Sequence, residues 1–335
     1  MKYKPLGRSG LMVSELCLGT MVFGEDNSRG TDEATAVRMI HRFLDAGGNH
    51  IDTANVYAGG RSEEIVGKAI KDRRERVVLA TKVRFPMGEG PNDLGLSRYH
   101  IINSVEDSLR RLQTDTIDLL YMHTWDPLTP LEESLRTCDD LVTAGKVRYI
   151  GVSNFKAWQL MKALGESDQH GWVRFIAAQY QYSLVERNID SEFIDLCLNE
   201  GVGIVPWGAQ GGGFLSGKYR REERPAEGRL AMMPDDTEEA WDRRNVANNW
   251  RILDIVDDIV TSYDGLTHSQ VAITWLLAQP SVVSVLIGVR TEAQLEDNLQ
   301  AAKVQLSSDE LIRLDEISAL KEGYPYRFLK MYAAR

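Results

Sequence analysis

The sequence predicts an α/β fold, a parallel (β/α)8 barrel of the TIM type, from three observations. Eight short apolar runs rich in strand-forming residues recur along the 335 residues. The first seven runs begin about thirty residues apart, which is the spacing of a strand followed by a helix. Amphipathic stretches with helical spacing separate them. An open doubly wound sheet is the alternative, but its usual G-x-G-x-x-G fingerprint does not occur in the sequence.

The predicted barrel strands share a high content of apolar and β-branched residues. In chain order they are Glu15–Gly19, His50–Ala54, Val77–Lys82, Thr116–His123, Tyr149–Ser153, Phe175–Tyr180, Gly203–Trp207 and Val282–Gly288. Helix signals lie between the runs. Ser97 is a candidate N-cap, and Thr291 with Gln294 forms a capping-box pattern after the last run.

Two further segments complete the predicted organisation of a single barrel domain over residues 1–335. Tyr3–Val13 is expected to form a β-hairpin that plugs the bottom of the barrel. A long excursion separates strands seven and eight, at about residues 209–280. Its first part, Arg220–Glu239, is rich in charge, Pro and Gly, and we expect it on the catalytic face.

Composition argues against several classes of partner. A net charge of −10 without a Lys/Arg cluster disfavours binding to nucleic acid or to an anionic membrane surface. The longest nearly apolar stretch, Val282–Val289, is too short for a membrane helix. Three widely spaced Cys and scattered His predict neither a disulfide framework nor a metal site, and no signal peptide is visible. These features favour a cytoplasmic location.

Four polar residues lie where strands of a barrel deliver catalytic side chains. Asp52 is late in the second run, Tyr57 follows it, Lys82 ends the third run and His123 ends the fourth. Taken singly, each is more often an ordinary rim or core residue. The combination is more informative, because a Lys and an Asp on adjacent strands can pair, whereas a buried Lys alone is costly.

This set is suited to proton donation to a carbonyl group that accepts hydride. Negative charge then grows on the carbonyl oxygen, and Tyr57 can donate its proton there. A nearby Lys82 ammonium stabilises the phenolate, and Asp52 keeps that ammonium charged and oriented. His123 can donate a hydrogen bond to the same oxygen.

Several ordered motifs resemble the aldo-keto reductase superfamily over nearly the whole chain. They are GGNHIDTANVYAGGRSEEIVGKAI, LATKV, SLRRLQTDTIDLLYMH and GKVRYIGVSNF. The details resemble most the branch of potassium-channel β subunits and their bacterial relatives. The resemblance implies that Asp52, Tyr57, Lys82 and His123 form the catalytic tetrad, with Tyr57 as the acid. It also implies a small-molecule carbonyl or alcohol as substrate.

The resemblance further implies a set of cofactor-binding residues. They are Thr20, Met21, Asp52, Ser153, Asn154, Gln179, Trp207, Gly208, Gln210, Gly213, Ser216, Lys218, Arg229, Gly288, Arg290, Gln294, Asp297 and Asn298. Trp207 matches the aromatic residue on which the branch stacks the nicotinamide. Arg290 is suited to a 2′-phosphate, so NADPH/NADP⁺ is favoured over NADH. Gly208-Ala209-Gln210 departs from the family's S-P-L, which removes a hydroxyl expected near the pyrophosphate.

The substrate pocket is expected to comprise Met21, Tyr57, Phe85, His123 and Trp125, with the segment around Tyr324–Tyr326 as a further wall. An apolar pocket favours hydrophobic carbonyls, while Arg84 leaves an acidic or sugar substrate open. The natural substrate, the physiological direction and the oligomeric state stay open at this stage.

Three alternatives to a carbonyl reductase remain. A cofactor-sensing regulatory subunit binds NADP(H) and a partner protein with little turnover, although His123 counts against it because channel subunits tend to carry Asn there. A (β/α)8 enzyme acting on phosphorylated sugars has lost the cofactor site. A nucleotide-triphosphate hydrolase is disfavoured, because the G-x-x-x-x-G-K pattern ending at Lys218 is followed by Tyr219 rather than Ser or Thr.

Overall fold

The centre of the molecule is a sheet of parallel strands, and the computed structural model describes residues 1–24, 30–221 and 223–332. Two short strands, β1 (Tyr3–Pro5) and β2 (Met12–Ser14), precede the sheet. The eight strands of the sheet are β3 (Leu16–Gly19), β4 (His50–Asp52), β5 (Val78–Val83), β6 (Ile117–Met122), β7 (Val147–Ser153), β8 (Phe175–Gln179), β9 (Gly203–Ile204) and β10 (Val285–Gly288). Each overlaps one of the predicted runs.

The eight strands curl into a barrel, in which the outermost strands of the sheet, β10 and β9, approach each other. The order is β10-β3-β4-β5-β6-β7-β8-β9, with parallel pairing throughout. An isolated bridge joins Ile204 to Val282, and the Leu286 N–H donates to the Pro206 carbonyl oxygen at 3.0 Å. Pro206 has no N–H to give to a ladder, which explains why regular β9 is short. The predicted (β/α)8 fold is confirmed.

Helices surround the sheet and follow most of its strands. In the described chain they are α1 (Glu33–Asp45), α2 (Arg61–Ile70), α3 (Arg98–Leu112), α4 (Leu131–Thr143), α5 (Ala157–His170), α6 (Phe193–Glu200), α7 (Arg229–Met232), α8 (Trp241–Arg244), α9 (Ala247–Thr261), α10 (His268–Ala278), α11 (Glu292–Gln300), α12 (Ser308–Ser318) and α13 (Tyr326–Tyr332). As predicted, Ser97 caps α3. At the start of α11 the Thr291 side chain accepts from the Gln294 N–H, but the predicted capping box is incomplete, because Gln294 Oε1 accepts from the Arg290 N–H. In the described residues, no helix has the length and apolar character that a membrane crossing requires.

The N-terminal hairpin closes the amino-terminal end of the barrel, as the sequence predicts. Leu6 and Val13 are fully buried, and they belong to the apolar cluster inside the barrel that includes Leu119 and Ile176. The Arg8 N–H donates to the Gly201 carbonyl oxygen and fixes the turn of the hairpin to the barrel. The opposite, carboxyl-terminal end of the strands is thereby left as the open end.

Candidate active site

A cavity of about 620 Å³ opens at the carboxyl ends of the barrel strands. Residues at the ends of β3, β4, β7, β8 and β10 line it, together with the irregular segment that follows β9. In barrels of this kind, catalytic side chains are delivered to this end of the strands. The cavity therefore lies at the end of the barrel where the sequence predicts the four polar residues.

Three of these residues form a connected group at the floor of the cavity. The Lys82 ammonium pairs with the Asp52 carboxylate and donates to the Thr53 carbonyl oxygen at 2.9 Å. The same Lys82 Nζ lies 3.1 Å from the hydroxyl oxygen of Tyr57. Lys82 and Asp52 are almost completely buried, so little water screens the charges from each other or from the phenol.

Burial and charge act in opposite directions on this group. Burial alone lowers the pKa of the Lys82 ammonium, but Asp52 and Tyr57 more than offset it, and the pKa is raised. The pKa of Tyr57 is also raised, because burial outweighs the opposing effect of Lys82. The expected stabilisation of the phenolate by Lys82 is present, but it is smaller than the effect of burial.

His123 completes the set from the end of β6. Its ring centroid lies 5.9 Å from that of Tyr57 and 4.6 Å from that of Phe85, edge-to-face in both cases. Burial, followed by the positive charges of Lys82 and Arg84, holds the pKa of His123 well below its usual range. The imidazole is therefore neutral at pH 7 and keeps one N–H for donation to an oxygen.

Side chains from β7 and β8 support this group from the other side of the cavity. Gln179 Nε2 donates to Asp52 Oδ2 at 2.8 Å and so orients the carboxylate across the barrel. Asn154 Nδ2 donates to Ser153 Oγ at 2.8 Å and to the His123 carbonyl oxygen at 3.0 Å. Asn154 has a φ of 54°, a conformation that Asn tolerates better than most residues.

Thr20 and Met21 extend the lining from the end of β3. The Thr20 hydroxyl donates to the Asp52 carbonyl oxygen at 3.0 Å, and Thr20 Oγ1 is also 2.8 Å from Ser62 Oγ. These bonds tie the chain after β3 to β4 and to the start of α2. They hold Met21, which lines the cavity, beside the tetrad residues.

Trp207 lines the cavity from the chain that continues β9. Its backbone N–H donates to the Tyr180 carbonyl oxygen at 2.9 Å, and its carbonyl accepts from the Tyr182 N–H at 3.1 Å. These bonds fix the backbone of Trp207 at the cavity wall, and an indole at such a position is suited to stacking on a planar ligand. Gly208 follows with a φ of 73°, and the chain turns there.

Cationic side chains gather at the other end of the cavity. Lys218, Arg229 and Arg290 line it, together with Gly213, Ser216 and Gly288. Burial and then the nearby charge of Arg290 lower the pKa of Lys218. Arg229 forms an ion pair with the buried Glu239. An arrangement of cations that repel each other favours an anionic ligand between them.

Residues of α11 border the same end of the cavity. Asn298 Oδ1 accepts from Gln210 Nε2 at 2.9 Å. Asp297 accepts from Gln270 Nε2 at 2.7 Å and from the Thr267 hydroxyl at 3.0 Å. Gln294 Oε1 accepts from the Arg290 N–H at 2.8 Å. Gln210 thus connects the segment after β9 to α11, two residues beyond Gly208, where the family pattern has the missing hydroxyl.

The cavity collects all the predicted cofactor-binding residues, but not every residue that the sequence suggests for the substrate pocket. Met21, Tyr57, Phe85 and His123 line it, whereas Lys82 lies beneath them. Among the described residues, Trp125 is outside the lining and packs edge-on against Phe155, 5.1 Å between centroids.

The C-terminal segment is also placed away from the cavity lining. The Tyr326 hydroxyl donates to Glu192 Oε1 at 2.8 Å, on the outer side of the chain that precedes α6. Tyr324 is largely exposed. The aromatic residues around Tyr324–Tyr326 therefore face the surface rather than the cavity in the structure.

Sequence reasoning missed several lining residues, of which Glu239 is the most informative. This buried carboxylate lines the cavity beside its partner Arg229. In the sequence it is one of many charged residues in an irregular stretch, so no periodicity marks it as buried. Met233 and Ile273 also line the cavity, and each lies on a segment whose docking depends on tertiary contacts.

Comparison with known proteins gives concordant matches over most of the chain. A model of the aldo/keto reductase family matches residues 15–319. The uncharacterized oxidoreductase YrpG of Bacillus subtilis is 39% identical, over 95% of this chain and 96% of its own. A probable voltage-gated potassium channel subunit beta of Arabidopsis thaliana is 36% identical over 98% of both chains. Versiconal hemiacetal acetate reductase of Aspergillus parasiticus is 33% identical, over 97% of this chain and 99% of its own.

Proposed function

Because the chain belongs to the aldo/keto reductase family, we propose that it is an NADPH-dependent oxidoreductase that reversibly reduces an aldehyde or ketone to an alcohol. The observation that carries the proposal is the position of the Lys82 ammonium, 3.1 Å from the Tyr57 hydroxyl at the floor of the cavity. A phenol beside a buried ammonium is suited to acid catalysis on a carbonyl oxygen, because the ammonium stabilises the phenolate that remains.

The cavity residues fit a phosphorylated dinucleotide. Trp207, Ser153 and Asn154 would hold the nicotinamide end, and Lys218, Arg229 and Arg290 the phosphates. The lowered pKa of Lys218, caused by burial and by Arg290, supports an anion between these cations. Gly213 adds to the fit, because a Cβ there would lie 3.2 Å from Lys218 Nζ. When bound, the reduced nicotinamide supplies a hydride to the carbonyl carbon.

Tyr57 supplies the proton in this proposal. Its hydroxyl gives the proton to the carbonyl oxygen as negative charge grows there, and the phenolate that remains is stabilised by Lys82. The pKa of free Tyr57 is raised by burial, so the phenol stays protonated before the reaction. Asp52, oriented by Gln179, keeps the ammonium in place.

His123 stabilises the same oxygen without transferring a proton. Since burial lowers its pKa, the neutral imidazole donates a hydrogen bond rather than a positive charge. A neutral imidazole also adds no positive charge that would repel the nearby Lys82 ammonium. Phe85, packed against the imidazole, covers it from water.

Replacement of Tyr57 by Phe tests the proposal. We expect Tyr57→Phe to lower kcat for aldehyde reduction by about 10²–10⁴-fold, the usual contribution of a positioned acid. NADPH affinity, measured by fluorescence titration, is expected to stay within about twofold, which corresponds to a change of less than about 0.4 kcal/mol in binding free energy. Tyr99→Phe, at an exposed position of α3, is the matched control and should leave both quantities unchanged.

Two outcomes would contradict this assignment. Near-normal reduction by the Tyr57→Phe variant would remove Tyr57 from the acid role. Tight NADPH binding by the unaltered protein without turnover of any aldehyde or ketone would favour the alternative of a cofactor-sensing subunit. The names of the plant relatives motivate that alternative, whereas the presence of His123 beside Tyr57 argues for turnover.

A further inference from the structure

Arg84 is a charged residue beside the tetrad that the proposed reduction does not use. It follows β5 directly and is two positions beyond Lys82. Lys82 lies inside the barrel and Val83 in the outer apolar layer, and Arg84 follows at the open end, beside the cavity lining rather than within it. Its guanidinium carbon lies 5.5 Å from the ring centroid of Phe85, which lines the cavity.

The backbone of Arg84 is held in an unusual conformation. Its φ is 152°, a value that residues with a side chain rarely adopt. The Gly95 N–H donates to the Arg84 carbonyl oxygen at 2.8 Å, so the returning loop fixes the strained residue. Strain of this kind is more common at functional sites than elsewhere, because the surrounding structure has to maintain it.

No carboxylate of the described residues forms an ion pair with the Arg84 guanidinium, although its positive charge lowers the pKa of Asp126. Arg84 is only partly exposed, and its Nε is buried without a hydrogen-bond acceptor. Burying an unpaired charge is costly, so the arrangement gains stability when an anion arrives.

Asp126, a carboxylate whose charge acts on the same region, is already committed to other donors. Asp126 Oδ2 accepts from the Leu96 N–H and the Thr129 hydroxyl, both at 2.7 Å, and Oδ1 accepts from the Leu128 N–H at 3.0 Å. These bonds fix Asp126 as a brace for the loops after β5 and β6. Asp126 therefore acts on Arg84 through its charge, without forming an ion pair with the guanidinium.

The positive charge of Arg84 also reaches His123. It is one of the causes that lower the pKa of that imidazole, after burial and Lys82. The Phe85 ring contacts both the Arg84 guanidinium and the His123 ring. A ligand whose oxyanion group is bound at Arg84 would therefore have its carbonyl group near His123.

We propose that Arg84 binds an oxyanion group, a carboxylate or a phosphate, of the carbonyl substrate, and that the protein prefers acidic aldehydes or ketones. This proposal rests on the proposed reductase function and adds its substrate class. A planar guanidinium gives two parallel hydrogen bonds to such a group, which fixes orientation as well as charge. Arg84 is thus a specificity-determining residue, whereas Tyr57 and His123 act on the carbonyl.

Matched pairs of substrates test this preference. Each acid is compared with its neutral counterpart: 3- and 4-carboxybenzaldehyde with their methyl esters, and glyceraldehyde 3-phosphate with glyceraldehyde. We expect at least one acid to exceed its neutral counterpart in kcat/KM by about tenfold or more, the effect of a charged hydrogen bond. Preference within either benzaldehyde pair identifies a carboxylate site, and preference within the glyceraldehyde pair identifies a phosphate site.

Substitution of Arg84 assigns the preference to this side chain. In Arg84→Gln we expect the acid-to-neutral ratio of kcat/KM to fall by about tenfold, mainly through a higher KM for the acid. Arg84→Lys should recover part of the ratio, because it keeps the charge but loses the paired hydrogen bonds. Arg98→Gln removes an arginine that is ion-paired with Asp140 on the surface, and should leave the ratio unchanged.

A binding measurement separates this inference from the reductase proposal. Benzoate has no reducible carbonyl, and calorimetry can compare its affinity with that of benzamide in each variant. Benzoate binding that weakens in Arg84→Gln supports the anion site even if no aldehyde is reduced. Reduction of neutral aldehydes with an acid-to-neutral ratio that Arg84→Gln does not alter would overturn the inference and leave the reductase proposal intact. Equal benzoate affinity in both proteins would overturn it as well.

Discussion

At the residue scale, the arrangement around Lys82 depends on compensation between burial and charge. An ammonium that is removed from water is unstable unless a carboxylate accompanies it, and Asp52 provides one from the adjacent strand. Gln179 then occupies the second carboxylate oxygen from across the barrel. The result is a charged group that is held rigidly next to Tyr57 and needs no water to stabilise it.

Inside the barrel, His50 illustrates the same conflict without a compensating charge. It is completely buried two positions before Asp52 on β4, and its Nδ1 lies 3.0 Å from Ser284 Oγ. Burial, and then the Lys82 charge, lower the pKa of His50 to about 3. The unfolded chain takes up a proton on this residue below pH 6.5, but the folded chain does not. The contribution of neutral His50 to stability is therefore complete above pH 6.5 and is lost as the pH falls towards 3.

We accordingly expect His50→Asn to reduce the acid sensitivity of the fold. From about pH 7.5 to about pH 5.5, a group with these two pKa values costs about 1.4 kcal/mol of unfolding free energy, and the variant should lose that much less than the unaltered protein. Asn can keep the bond to Ser284. Any loss of packing lowers the unfolding free energy by the same amount at both pH values. Urea unfolding at the two pH values measures the difference. An identical decrease in both proteins would show that His50 takes up a proton at the same pH in the folded and the unfolded chain.

At the element scale, the strands were predictable because each is a short apolar run between breaks, whereas their ends were not. The run Gly203–Trp207 keeps regular pairing at its first two residues, since Pro206 interrupts the ladder. The helices between residues 209 and 280 have no fixed spacing, and their packing could not be derived from the local pattern. Tertiary contacts also explain why Trp125, which the sequence predicts at the pocket, is not in the cavity lining. It packs against Phe155 and Trp158 instead.

The N-terminal hairpin provides a test of how tightly an element closes the barrel. Gly7 has a φ of +57°, and a Cβ there would lie 2.2 Å from the Ile176 carbonyl oxygen and 2.7 Å from that of Gly201. At Gly10, in the same turn, a Cβ would have no neighbouring atom within 4 Å. We expect Gly7→Ala to lower the unfolding free energy by at least about 1–3 kcal/mol through backbone strain alone. Gly10→Ala should be neutral or slightly stabilising.

Urea denaturation of the two glycine variants measures this difference, and NADPH titration reports on the distant cavity. We expect the cofactor affinity of folded Gly7→Ala to stay within about twofold, because the hairpin and the cavity are at opposite ends of the strands. If the two alanine variants are equally stable, the close packing of the turn against β8 and β9 is not a feature of the folded protein in solution.

At the scale of the whole molecule, the cavity draws on the entire barrel. Its lining runs from Gly19 at the end of β3 to Asn298 in α11, and β10 completes the sheet between β3 and the end of β9. The family motifs predict a tetrad and a cofactor set, and the structure places these residues in or directly beneath the lining of one cavity, because several motifs lie at strand ends. The partners that hold them, such as Gln179 on Asp52 and Glu239 on Arg229, come from distant parts of the chain and carry no local signal.

We propose on this basis that residues 1–335 form one domain, and expect NADP⁺ to stabilise the chain as a unit. Tryptophans lie on both sides of β8 in the sequence: Trp125, Trp158 and Trp172 before it, and Trp207, Trp241, Trp250 and Trp275 after it. Fluorescence and circular dichroism should therefore follow the same unfolding transition. NADP⁺ at about 100 times its Kd should raise the unfolding free energy by about 2.7 kcal/mol and shift that transition as a whole. NAD⁺ at the same concentration should shift it less, because Arg290 then has no 2′-phosphate to bind. A second transition that does not respond to NADP⁺ would show that part of the chain folds independently of the barrel.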